Sequence, residues 1–124
     1  MSETAIRIVL NGVPPSLNRF AGRLNSHEYR AEKKLWDDAV CWQCKSIRDR
    51  PQKLAKARVE ILYYFPTANR HDPDNYAGKF ILDGLTKAGI IADDDFRHIT
   101  LHLAGAVDRQ SPRTVVTVTE VTAI

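Results

Sequence analysis

Residues 57–65, Ala-Arg-Val-Glu-Ile-Leu-Tyr-Tyr-Phe, constrain the fold more than any other segment. Apolar and polar residues alternate through Glu60, and the run then turns apolar. Alternation is the period of a strand with one wet face, and a continuous apolar run suits a strand covered on both. The segment therefore predicts a central strand. Such a strand needs others beside it and an apolar layer over it.

The flanking segments supply both. Residues 5–10, Ala-Ile-Arg-Ile-Val-Leu, are short and β-branched and predict a first strand. Asn11-Gly12 and Pro14-Pro15-Ser16 end it and open a loop running to about Ser26. Residues 28–48 predict a helix, with Ser26 as N-cap, Glu28 and Glu32 near its positive end, and Pro51 beyond its basic end. Tyr29, Trp36, Val40 and Ile47 fall near one face of it. A second helix is predicted from Asn75 to Ala88, with Asp74 or Asn75 as N-cap and Gly89 just past its end. Phe80, Ile81, Leu85 and Ala88 form its buried stripe. Asp93-Asp94-Asp95 predicts a turn. Phe96–Val107 and Arg113–Val121 alternate and predict two more strands, joined as a terminal hairpin. The order β-α-β-α-β-β predicts an α+β domain, a mixed sheet with two helices packed on it.

At 124 residues the chain has the length of one domain with a modest core. Hydrophobic residues at 44% and charged residues at 27% exclude a disordered or collagen-like chain. No apolar run reaches the roughly 18 residues of a membrane helix. Met1-Ser2-Glu3-Thr4 carries neither a basic nor an apolar leader region, and two nearby cysteines make no disulfide framework. A cytoplasmic protein is expected. Cys41-x-x-Cys44 has no second pair, so it reads as two helix cysteines and not as a zinc site.

The formal net charge is +3, but its distribution is uneven. From Asp72 to Asp95 there are six acids against two bases, a net of −4. The rest of the chain holds sixteen bases against nine acids, a net of +7. An acidic island in a basic chain is either a solvated surface or a metal site facing a polyanion. Asp72 and Asp74 flank Pro73, which biases Asp72 toward extended backbone. Residues two apart in an extended segment point the same way, so these carboxylates repel and call for a cation or for water. An all-oxygen donor set suits Mg²⁺ or Mn²⁺. Turn and cap roles are the plainer alternative for these acids. The second acidic cluster, Asp93 to Asp95, lies beyond a helix of about 20 Å by its rise. The clusters meet only if the chain comes back, through neighbouring strands whose facing ends converge. Lys79, Asp83 and Lys87 share a helix face, either as a salt-bridged stripe or with Lys79 near a phosphate.

In this order and at these spacings the residues resemble the RusA family of Holliday-junction resolvases. The quoted residues are Asp72-Pro73-Asp74-Asn75, then Lys79, Asp83, Leu85, Ala88, Gly89 and Asp93-Asp94. Pro14-Pro15-Ser16 with Asn18-Arg19 matches the family's segment after the first strand. The resemblance implies a RusA-like fold and a Mg²⁺-dependent endonuclease that resolves four-way DNA junctions by paired nicks leaving 5′-phosphates. It implies Asp72, Asp74 and Asp94 as catalytic metal ligands, with Asp93 flanking them and Lys79 as the functional lysine. It also implies a symmetric homodimer, which suits a two-fold symmetric junction. One residue more than in the family separates Asn75 from Lys79. Either the helix starts later, near Gly78, or Lys79 is turned by about 100°.

Arg19, Arg23, Arg70, His71, Lys79 and Arg97 are the candidate DNA contacts. The loop 13–27 is the expected junction-touching segment, with Phe20 either a wedge at the crossover or part of the core. His98 and His102 would share a strand face with Thr100. Two other readings are a branched-DNA-binding protein that does not cut and a general metal nuclease acting on flaps or duplexes. A calcium loop is the weakest, because the acids lack the spacing of one continuous loop.

Overall fold

The computed structural model describes residues 5–23, 26–47 and 53–121. Strand β1 (Ala5–Asn11) is followed by helix α1 (His27–Lys45), strand β2 (Ala57–Phe65), helix α2 (Lys79–Lys87), strand β3 (Ile99–Val107) and strand β4 (Arg113–Glu120). The predicted order of elements holds. Arg48, Arg50 and Pro51, expected at the end of the first helix, lie outside the described residues, as does Asn25 in the expected junction-touching loop.

The four strands form one mixed sheet in the order β1-β4-β2-β3. β2 is interior, as its apolar run predicts, between antiparallel β4 and parallel β3. The expected terminal hairpin is wrong. β4 pairs with β1 from Ala5↔Thr119 to Asn11↔Arg113 and with β2 from Ala57↔Glu120 to Tyr64↔Arg113. Its sequence suits this interior place, since Val115, Val116 and Val118 are all buried. β3, with a wetter burial pattern, takes the edge.

One face of the sheet carries Ile6, Ile8 and Leu10, Val59 and Ile61, and Val116 and Val118. Val40 and Cys44 of α1, and Ile81, Leu82 and Leu85 of α2, close the core over it. The helices approach each other closely at Gly84, where a Cβ would stand 2.8 Å from the Val40 side chain. Cys41 Sγ lies 3.9 Å from the Gly84 carbonyl oxygen, and Cys44 is buried, so the cysteine pair belongs to this helix contact. Phe20, fully buried against Tyr29 and Phe80, builds a smaller cluster and is no wedge.

The second helix begins later than predicted. A 3-10 turn, Pro73–Tyr76, comes first, and α2 starts at Lys79 after Gly78. Gly78 has φ 93°, a left-handed conformation that glycine adopts without strain. The break absorbs the extra residue between Asn75 and Lys79. No helix among the described residues is long and apolar enough to cross a membrane.

Gly84→Ala should force the helices apart and cost about 1–3 kcal/mol, as overpacked sites do. A denaturant midpoint measured for both proteins checks this, and an unchanged midpoint would contradict the close approach.

Candidate metal and nucleic-acid site

The sequence placed two carboxylates before the second helix and a cluster after it. The structure shows how the chain runs between them. β2 and β3 are neighbours, but parallel, from Ala57↔Ile99 to Phe65↔Val107. The end of β2 and the start of β3 therefore lie at opposite ends of the sheet and do not converge. The return journey is made by the 3-10 turn and α2.

Asp72 has φ −96° and ψ 135°, the extended backbone expected before Pro73. Its carboxylate makes no helix-capping bond. It accepts instead from Arg70 Nε at 2.9 Å. Arg70 is fully exposed, and the hydrogen bond and charge of Asp72, with the charge of Asp74, raise its pKa further. A guanidinium thus serves as the counter-cation of the Asp72–Asp74 pair.

Asp83, midway along α2, meets the later cluster. Its carboxylate and that of Asp94 are hydrogen-bond neighbours. Two carboxyl groups this close push their affinities for protons apart. Burial pushes Asp83 up, but hydrogen bonding and charge from Lys33, with the charge of Lys79, bring it below the ordinary carboxylate value. Asp94 moves up, through burial first and then through the charge of Asp83. Its backbone N–H donates to Asp93 Oδ1 at 2.8 Å.

Lys33 ties this group to α1. It pairs with Asp83 and, at 3.6 Å, with Asp37 Oδ2. Asp37 is only 5% exposed and also accepts from Lys87 of α2. The ladder Lys87–Asp37–Lys33–Asp83 thus crosses the helix pair and ends at Asp94. Asp37 was not singled out in the sequence, and the pairing of Lys33 with Asp83 was not foreseen. A signal existed: residues 29, 33, 37, 40 and 44 follow the three- and four-residue spacing of a buried face.

Among the described residues, one group of three possible metal-ligating atoms lies mutually within 4.8 Å, from Asp93, Asp95 and His98. Asp72, Asp74 and Asp94 do not form such a group. His98 Nδ1 is hydrogen-bonded to Asp95, which lowers the Asp95 pKa. His98 thus faces this turn, while Thr100 and His102 lie exposed on β3.

The remaining candidates fall at two places. Arg19 is exposed with its guanidinium 5.4 Å from the Phe20 ring centroid, and Arg23 donates to the Arg19 carbonyl at 2.9 Å. Pro14, Pro15 and Leu17 line a small cleft with Asn75, Gly78 and Lys79. The two sequence segments that carry the resemblance therefore meet in space. Exposed Arg97 lies beside Asp95, away from this cleft at the start of β3.

The Asp93, Asp95 and His98 group offers two carboxylates and one imidazole, a donor set that could hold a metal ion. The chain matches no protein-family model, and no curated protein matches it either.

Asp94→Asn should stabilise the metal-free protein at neutral pH. A group whose folded pKa is raised adds stability only while protonated, and loses it as pH rises through the folded pKa. The carboxamide mimics the protonated form, so the gain over the parent should vanish as pH falls through the carboxylate range. Thermal melts in EDTA across that range check this, and a gain independent of pH would contradict the Asp83–Asp94 contact.

Proposed function

We propose that the protein is a Mg²⁺-dependent, structure-selective endodeoxyribonuclease that nicks four-way DNA junctions, as the RusA resolvases do, and acts as a homodimer. The observation that carries this reading is the gathering of acids around one short helix. Asp72 and Asp74 stand on its approach, Asp83 and Asp94 meet along its side, and Lys79 opens its first turn. The meeting of Pro14-Pro15 with Asn75–Phe80 supports it further.

The bound ion would activate water and neutralise charge on the phosphate. The chain's own groups do the rest. Asp72, Asp74 and Asp94 supply the carboxylates that hold it. Arg70, hydrogen-bonded to Asp72, would be free to contact a neighbouring phosphate if Asp72 held an ion instead. Lys79, exposed beside Asp83, stabilises the negative charge that develops on the phosphoryl oxygens. Arg19 and Arg23 contact the DNA backbone and fix its position. Two copies would place two such sites on the symmetric strands of a junction.

A second reading is favoured by the convergence of Asp93, Asp95 and His98, which would place the metal at the start of β3. A cleavage assay separates the two. Labelled four-way junction, flap and plain duplex are incubated with Mg²⁺, Mn²⁺ or EDTA. The junction should be cut in either metal and not in EDTA. Asp72→Asn and Asp94→Asn should each slow cutting at least about a hundredfold, the loss of several kcal/mol of charge stabilisation. Asp95→Asn should leave the rate nearly unchanged. No cutting of any substrate overturns the enzyme reading, and equal cutting of duplex overturns the junction selectivity. Loss in Asp95→Asn alone moves the metal to the second site.

A further inference from the structure

A cavity of about 160 Å³ opens directly beside Asp72, and the proposed ion does not account for it. That is the liquid volume of roughly five waters. Tyr63, Phe65, His71, Asp72, Tyr76 and Gly105 line it. Four of its nine lining residues are aromatic. The His71 imidazole lies flat on Phe65, with ring centroids 3.8 Å apart and planes within 9°. Tyr76 stands edge-on to both, at 79° to Phe65 and 73° to His71. A planar nitrogen heterocycle thus already stacks on this platform.

The opposite wall is kept open by one residue. Gly105 of β3 sits opposite Tyr63, and a Cβ on it would stand 3.1 Å from the Phe65 ring. A larger side chain there would enter the slot. The Arg70 side chain, 87% exposed, is held beside the slot by its hydrogen bond to Asp72.

We propose that this slot takes a single unstacked DNA base adjoining the phosphate at Asp72. The inference rests on the DNA-cutting reading above and adds to it a means of holding a strand in place. Base–aromatic stacking tolerates any base, because each has a π-face. The slot would therefore favour strands whose bases are already unstacked, as at a branch point, over paired duplex. Asp72 lines the slot and also belongs to the proposed ligand set, so the captured base would lie next to the cleaved bond.

The test is amide NMR in EDTA with a short single-stranded oligodeoxynucleotide and an abasic oligomer of the same length. The base-bearing strand should shift Gly105, Ala104 and Tyr76 through ring currents, and the abasic one should not. Gly105→Val places side-chain bulk in the slot, against the Phe65 ring. It should abolish those shifts and weaken binding of the base-bearing strand roughly five- to a hundredfold, the range of one lost stack. If Gly105→Val fails to fold, Tyr76→Leu removes a wall without filling the space and should weaken binding in the same direction. Equal shifts from both oligomers, or no shifts at the slot, overturn the inference. A junction that is bound and cut with no response at Gly105 overturns it while leaving the nuclease reading intact. Slot shifts in a protein that cuts no substrate do the reverse.

Discussion

Strands β2 and β3 run parallel, so the chain leaving Phe65 must travel back along the sheet before Ile99 can begin. That distance is roughly 30 Å by the rise of a nine-residue strand. The return is made by a loop, the turn Pro73–Tyr76, α2 and the turn at Asp93–Asp95. An antiparallel pair would have needed only a tight turn. The acids of the candidate site thus lie along one crossover, at its start, its middle and its end. Their order in the sequence becomes an order in space, with Asp83 as the middle member that touches the last.

Electrostatics explains why such a crossover stays attached. α2 spans only nine residues, too few to be stable alone. Its apolar stripe seats it on the sheet, and Gly84 lets α1 come close. The ladder from Lys87 through Asp37 and Lys33 to Asp83 adds directional contacts across the helix pair. This ladder, buried only at Asp37, gives little net stability, because desolvation and solvent screening offset the attraction. What it gives here is position: Asp83 is held where its charge bears on Asp94. On the other side Arg70 neutralises Asp72 and Asp74. In both places the protein's own bases balance neighbouring carboxylates, and the formal charge of +3 hides both arrangements.

The local part of this fold was readable from the sequence. Strand β2 has the predicted ends, Ala57 and Phe65, because its alternation and apolar run are properties of consecutive residues. Tyr29 and Val40 on α1, and Phe80, Ile81 and Leu85 on α2, are buried as their spacing predicts. What depends on distant pairing was not readable. β4 inserts between β1 and β2, a choice between two antiparallel partners and a hairpin that no local pattern decides. Asp37 is buried because Lys87, fifty residues away, meets it. The extended backbone of Asp72 followed from Pro73, whereas the contact of Asp94 with Asp83 required the crossover. The triad Asp93–Asp95–His98 was half visible as an acidic run, but the histidine joins it only because the turn before β3 folds back on Asp95.

The proposed divalent cation would bind between Asp72, Asp74 and Asp94 and not at the foot of β3. Mn²⁺ titrated into isotope-labelled protein tests this through paramagnetic broadening of nearby amides. The account predicts broadening centred on Asp72, Asp74, Asp83 and Asp94 and removed by excess Mg²⁺. Broadening around Asp93 to His98 that leaves Asp72 and Asp74 untouched, or none at all, would contradict it.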